Sequence, residues 1–302
     1  MKRMRIPLII ATSIALLGFI LGSFLDLQLS TAIADRTNNF AIFLSVLGPV
    51  FGFSGLTFLF GGLIPKGLDK NTHIALRIIL LAAAAGAYGF CIYMAGKEIF
   101  GGHGFYGAAP KWVGYPIAAI PLAGGEVLGY FAMKDSSNKN AWILLAIAAG
   151  VCFLALVPGA TLIKEIFHRP RFRSVVATDG LEFYPWWKRC GNYKELMATF
   201  DLASEEFKSF PSGHTCEAAI LLAVATFAPM ANRKYEKYQY LAFGIATAFV
   251  LIVALGRIMA AAHYLSDVSM GMLLIAVFSL IGNEVVLRIK KLQEEEPAPA
   301  QE

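Results

Sequence analysis

Residues 141–172 read AWILLAIAAGVCFLALVPGATLIKEIFHRPRF, and the fold is decided there. Residues 141–163 hold no charge, which is the length of helix that crosses a bilayer core (about 20 residues for ~30 Å). Lys164 ends the run. Pro170 then interrupts any continuing helix, so the arginines of His168-Arg169-Pro170-Arg171 are expected in a loop leaning over the end of the span.

Outward from this stretch, uncharged runs of the same length recur. They predict eight spans, roughly Ile6–Leu25, Phe40–Leu63, Ile78–Gly96, Trp112–Met133, Ala141–Ile163, Gly213–Ala231, Tyr238–Gly256 and Leu265–Leu287. The fourth is the weakest, since it carries Pro116, Pro121 and Glu126. Hydrophobic residues make up 57% of the 302 and charged residues 16%, and the mean hydropathy is +0.60. That profile excludes an ordinary soluble chain and predicts an all-α, multi-pass transmembrane helix bundle. The first run has a basic start but no small-residue cleavage site, so it reads as a retained span. No internal repeat is present, and residues 291–302, with the acidic, Pro/Ala-rich Glu294–Glu302, read as a disordered cytoplasmic tail.

Lysines and arginines in short loops set the orientation. Lys2, Arg3 and Arg5 fall on the same side as Lys66, Lys70 and Arg77, Lys134 and Lys139, Arg233, Lys234 and Lys237, and Arg288, Lys290 and Lys291. The short loops opposite hold only Arg36, Lys97 and Lys111. Both termini are therefore expected in the cytoplasm, in a plasma or inner membrane. The net charge of +5 is largely this topology signal, and no nucleic-acid patch is read from it.

The same map puts three polar clusters at the extracytoplasmic end. Lys164 and Arg171 follow the fifth span, Phe210-Pro211-Ser212-Gly213-His214 opens the sixth, and Arg257, His263 and Asp267 join the seventh to the eighth. Cations at the edge of a hydrocarbon layer are costly without compensation, so this convergence asks for a common anion such as phosphate. Ser212, Gly213 and His214 are expected to present backbone N–H groups at a helix N-terminus, which favours anions. His263 and Asp267 are four apart, which would place them on one helix face with the carboxylate accepting the Nδ1 proton and Nε2 free as a nucleophile. A tight turn through Ala260-Ala261-Ala262 must bring Arg257 back to His263.

These clusters resemble the signature of the type 2 phosphatidic acid phosphatase family of integral-membrane lipid phosphatases: Lys, six residues, Arg-Pro; Pro-Ser-Gly-His; Ser-Arg, five residues, His, three residues, Asp. The middle cluster is complete at Pro211–His214. The first has Phe172 in place of Pro and the third has Gly256 in place of Ser, and every charged position is kept. The resemblance covers Lys164–Asp267. It implies that His263 attacks phosphorus, Asp267 orients it and His214 serves as acid and base, all without metal or other cofactor. Lys164, Arg171 and Arg257, with the Ser212 and Gly213 amides, would hold the phosphate, and Arg169 stands between a phosphate contact and a solvated loop. The substrate implied is a lipid phosphomonoester or diphosphate; membrane lipids are the surroundings, and no protein partner is indicated. The family core has six spans with the first cluster after the third, whereas here it follows the fifth. The division expected is thus an N-terminal transmembrane hairpin, residues 1–75, added to a phosphatase core over 76–290 with the extracytoplasmic segment 165–209.

Two other classes compete. A phosphotransferase would pass the same phosphoryl group to an alcohol, although related transferases lack the first cluster. A non-catalytic lipid-phosphate carrier would use the cations but not the nucleophile, acid and orienting carboxylate together. Phe183-Tyr184-Pro185-Trp186-Trp187 reads as an interfacial anchor or as a lid. Glu126 is an intramembrane acid, either functional or structural. His168 is expected to face water, and Cys190 and Cys216, both on the outer side, leave a disulfide open.

Overall fold

The computed structural model describes residues 4–101 and 108–289, and contains no strand among them. The first four spans are α1 (Arg5–Ile33), α2 (Asn39–Gly61) with a short continuation α3 (Ile64–Leu68), α4 (Ile74–Ile99) and α5 (Gly114–Met133). The fifth is α6 (Ala141–Leu154), which passes through a π-helical turn, Ala155–Thr161, into α7 (Leu162–Phe167). α8 (Phe172–Ala177) and α9 (Tyr193–Phe200) lie in the long connection that follows. α10 (Gly213–Ala231), α11 (Gln239–Met259) and α12 (Leu265–Arg288) complete the bundle. Eight segments are long and apolar enough to cross a membrane, so the chain is a multi-pass membrane protein of the all-α class. Large apolar side chains such as Ile78, Ile120, Leu128 and Ile245 are exposed on the outer faces of the spans, where lipid would cover them.

α10 is the axis of the bundle: 83% of its span is buried, against 22% for α1. It packs on α2, α11, α12 and α6. Small residues allow that approach. Gly52 of α2 lies against the backbone carbonyl of Glu217, and a side chain there would occupy that oxygen's place. The first two spans do not pair with each other as a hairpin: α1 runs along α12, and α2 is wedged among α5, α10, α4 and α11. The expected N-terminal addition is thus woven into the rest. The first span also runs past Leu25 to Ile33, because Asp26 is buried and paired rather than solvated at a helix end. The weak fourth span is a continuous helix through Pro121.

The π turn follows from Pro158, whose ring and missing N–H disfavour a regular α turn. Thr161 Oγ1 donates to the Leu156 carbonyl, five residues back, at 3.0 Å. Each residue of helix turns by about 100°, so the extra residue in the turn resets the face on which Lys164 emerges. The long connection has its own small core, in which Leu181, Cys190 and Phe207 are packed by Tyr193, Leu196 and Phe200. The tail at 291–302, along with Lys2, Arg3 and Lys290, lies outside the described residues.

Candidate active site

The ends of α7 and α11 and the starts of α10 and α12 meet at one end of the bundle, so the three clusters converge as their order on the chain requires. Ser212 caps α10, its hydroxyl accepting from the Thr215 amide at 3.4 Å and the Thr215 hydroxyl at 3.0 Å. Its own N–H donates to the Asp267 carbonyl at 2.9 Å, and the residue is fully buried. The expectation of a free Ser212 amide is therefore corrected: Ser212 ties α10 to α12. Gly213 is the first residue of α10, and a Cβ on it would stand 3.0 Å from Lys164 Nζ. The Lys164 ammonium thus lies against the first turn of α10.

His263 and Asp267 do not share a helix face, because α12 begins at Leu265 and His263 belongs to the turn before it. That turn is held by the Ala262 and His263 amides, both donating to the Arg257 carbonyl at 3.2 and 3.3 Å. Ala261 takes a left-handed conformation (φ 55°), which costs an L-residue roughly 1–2 kcal/mol and brings Arg257 back beside His263. His263 Nδ1 lies 2.8 Å from the Ser209 carbonyl, which only accepts, while Nε2 lies 3.0 Å from Arg171 Nη1, which only donates. Both contacts fix the same tautomer, Nδ1–H, with the Nε2 lone pair accepting from Arg171. Asp267 Oδ2 is 3.6 Å from Nδ1, so the carbonyl rather than the expected carboxylate receives the proton. Asp267 acts one step back. It accepts from Ser209 Oγ at 2.5 Å, from the Tyr264 amide at 2.9 Å and from Arg169 Nη1 at 2.5 Å.

Burial and the Arg171 guanidinium hold the His263 imidazole well below the usual histidine range, against the opposing pull of Asp267. The ring is therefore neutral near pH 7. The sign for stability follows: the folded state disfavours the imidazolium, so this contribution is full above about pH 6.5 and is lost as pH falls below it.

The arginine loop forms as expected, but its two arginines part company. Arg171 is buried, with Nε on the Glu205 carbonyl at 2.8 Å and Nη1 on the Ala262 carbonyl at 3.1 Å as well as on His263. Its backbone N–H is held by the Glu206 carbonyl at 2.8 Å. Glu206 in turn receives Arg173 Nε and Nη2 at 2.9 and 2.6 Å. Burial alone would raise the Glu206 carboxyl, yet those bonds and the one from Ser174 hold it below its ordinary value. Arg169 neither faces phosphate nor solvates a loop. It is 1% exposed, and its donors go to Tyr184 O, Ser266 Oγ, Asp267 and Asp26. Stripping one partner from such a buried set strands a charge at a cost of about 3–5 kcal/mol.

Arg257 is the opposite case. It is 1% exposed, and its Nε and Nη2 find no acceptor among the described residues. A buried guanidinium with unsatisfied donors is unfavourable unless an anion completes it. His214 is within electrostatic reach of Arg257, His263, Lys164 and Arg171. Its Nε2 is 3.6 Å from Glu98 Oε2, on α4. Three cations, a neutral imidazole whose Nε2 lone pair faces one of them, and a second imidazole near a carboxylate are the kinds of group that suit an anionic phosphate.

The sequence model of one family, described as the PAP2 superfamily, matches residues 140–290. The chain belongs to that superfamily. No curated protein and no solved structure matches it significantly. Superfamily members are phosphatases, acting on phosphate-containing substrates. The match takes in all three clusters and the last four spans, but not α1, α2, α4 or α5.

Both departures from the superfamily pattern have a packing reason. A Cβ on Gly256 would come within 2.8 Å of Leu44 Cβ, so a serine here would push α2 off α11. Phe172 is buried edge-on against Tyr264, which caps α12, at 5.9 Å between centroids. His168 is buried and stacked on Tyr193 at 3.6 Å, instead of facing water. All four cysteines are free, so Cys190 and Cys216 do not pair. The aromatic segment clamps the connection to the bundle: Trp186 donates to Ser23 of α1 at 2.8 Å and packs on Phe210, while Trp187 stays exposed. Sequence reasoning passed over Asp26, Glu98 and Ser209. Asp26 alone carried a signal, as the one acid among residues 4–34 in an otherwise apolar helix.

Proposed function

We propose that this protein hydrolyses a phosphomonoester or diphosphate of a membrane lipid through a phosphohistidine on His263, without a metal, at the extracytoplasmic face. The observation that carries this reading is the pairing of a neutral, Nδ1-protonated His263 with Arg257, a buried cation whose Nε and Nη2 have no acceptor among the described residues. Nε2 attacks phosphorus as the bond to the lipid oxygen breaks, and that oxygen takes a proton from His214. His214 then removes a proton from water, whose oxygen attacks phosphorus and releases His263 and inorganic phosphate. Lys164, Arg171, Arg257 and the Gly213 amide hold the equatorial oxygens. Asp267 and Ser212 position this set. The three cations supply the charge that many phosphatases draw from metal ions.

Phosphate release from a panel of lipid phosphates and diphosphates is expected to survive EDTA. Activity lost to the chelator and restored by Mg²⁺ would overturn the assignment.

The orientation rests on the asymmetry of the short loops. The four native thiols are buried, so introduced cysteines report cleanly. In intact cells, Glu182→Cys is expected to react with a membrane-impermeant maleimide and Lys234→Cys is not, both positions being exposed in the fold. The reverse pattern would put the chemistry in the cytoplasm.

A further inference from the structure

The first span contributes a carboxylate to the site from outside the superfamily match. Asp26 lies on α1, is 4% exposed, and is separated from Arg169 by 143 positions in the chain. We propose that Asp26 is a positioning residue for phosphoryl transfer, acting through Arg169 on Asp267, Ser209 and hence His263.

The path is unbroken. Asp26 Oδ2 accepts from Arg169 Nη2 at 2.8 Å, and Arg169 Nη1 reaches Asp267 Oδ1 at 2.5 Å. The Arg169 carbonyl accepts from the Ser209 amide at 3.0 Å. Ser209 Oγ donates to Asp267, and the Ser209 carbonyl takes His263 Nδ1–H at 2.8 Å. Asp26 also seizes the start of α12: its Oδ1 accepts from the Ser266 amide at 2.8 Å, and its Oδ2 accepts from the Ser266 hydroxyl. A carboxylate is favoured at that helix N-terminus. Gly22, one turn earlier on α1, makes the approach possible, because a side chain there would overlap the Ser266 amide.

Charge gives this arrangement a catalytic consequence. Asp26, Arg169 and Asp267 together carry one net negative charge. When the Nε2–P bond forms and the P–O bond to the lipid breaks, a ring that keeps its Nδ1 proton becomes cationic. The buried negative charge meets that developing cation where the local dielectric is low. With Asp26 neutralised, the Arg169–Asp267 pair is neutral and offers no such compensation. The Arg169 guanidinium also packs over the Tyr264 ring, 4.1 Å from its centroid, which adds to its hold in this position.

The inference rests on the phosphohistidine reading, and the experiment separates the two. Full-length Asp26→Asn, Asp26→Glu and Arg169→Lys proteins in lipid nanodiscs would be mixed with radiolabelled phosphatidic acid and quenched rapidly. Asp26→Asn is expected to lower the rate constant for phosphoenzyme formation about 10–100-fold, as losses of supporting hydrogen-bond partners do, with KM little changed. Asp26→Glu, which keeps the charge, should recover part of that loss. Asp26→Asn with a wild-type rate constant and only a smaller labelled fraction would mean that Asp26 merely fastens α1, and the proposal fails. If Asp26→Asn does not fold, Arg169→Lys decides: it keeps the charge but cannot bridge Asp26 and Asp267 as the guanidinium does, and a wild-type rate constant there overturns the proposal. A second arm needs no turnover. The ¹⁵N spectrum of the His263 ring is expected to show one Nδ1–H form in the wild type and an added Nε2–H form in Asp26→Asn. Should the wild type trap no phosphate, the proposed function falls, and this spectrum still judges Asp26: identical ring signals in both proteins would overturn the coupling.

Discussion

His263→Ala is expected to lower kcat on a lipid phosphate by about 10⁵–10⁶, the scale seen when a covalent nucleophile is deleted. The ring stands where its chemistry requires: Nδ1–H is fixed by the Ser209 carbonyl, and Nε2 is met by the Arg171 guanidinium. Burial keeps it unprotonated, so the lone pair is present at neutral pH. The variant should nonetheless fold and bind, because the cations proposed to hold the phosphate come from other elements. Steady-state phosphate release checks this, and a drop of only tenfold would remove His263 from the centre of the chemistry.

His214→Ala is expected to slow turnover by about 10²–10⁴, as for a lost general acid. Its position in the first turn of α10 puts it on the side of Gly213 and Lys164, and Glu98 on α4 supplies a carboxylate for its protonated form. The effect must depend on the leaving group. A lipid alkoxide needs the proton, whereas p-nitrophenolate leaves without one. The ratio of variant to wild-type rates should therefore be much closer to one with p-nitrophenyl phosphate than with phosphatidic acid. Equal losses on both substrates would assign His214 to binding instead of proton transfer.

The bundle was legible because lipid permits so few solutions: a charge-free run of span length has little choice but to be a transmembrane helix. The convergence of the three clusters was equally legible, since their place at alternating span ends leaves them on one side. What stayed hidden depends on contacts between distant segments. Asp26 reads as the polar end of a span until Arg169 and Ser266 are seen around it. The four-residue spacing of His263 and Asp267 suggested a shared helix face, but the left-handed Ala261 and the cap at Tyr264 place the histidine ahead of the helix. The roles of Arg169 and Arg171 separate only in the fold, where one meets the buried carboxylates and the other meets His263. Ser212 shows the same limit. Its cap was readable, but the Asp267 carbonyl that takes its amide was not.

The central claim is a covalent bond between phosphorus and one histidine. Its most direct measurement is a rapid quench during turnover of radiolabelled phosphatidic acid in EDTA, followed by mapping of acid-labile, base-stable label along the chain. The account predicts label on the peptide that contains His263 and none in the His263→Ala protein. Label that persists in that variant, or a turning-over wild type that never carries any, would contradict it.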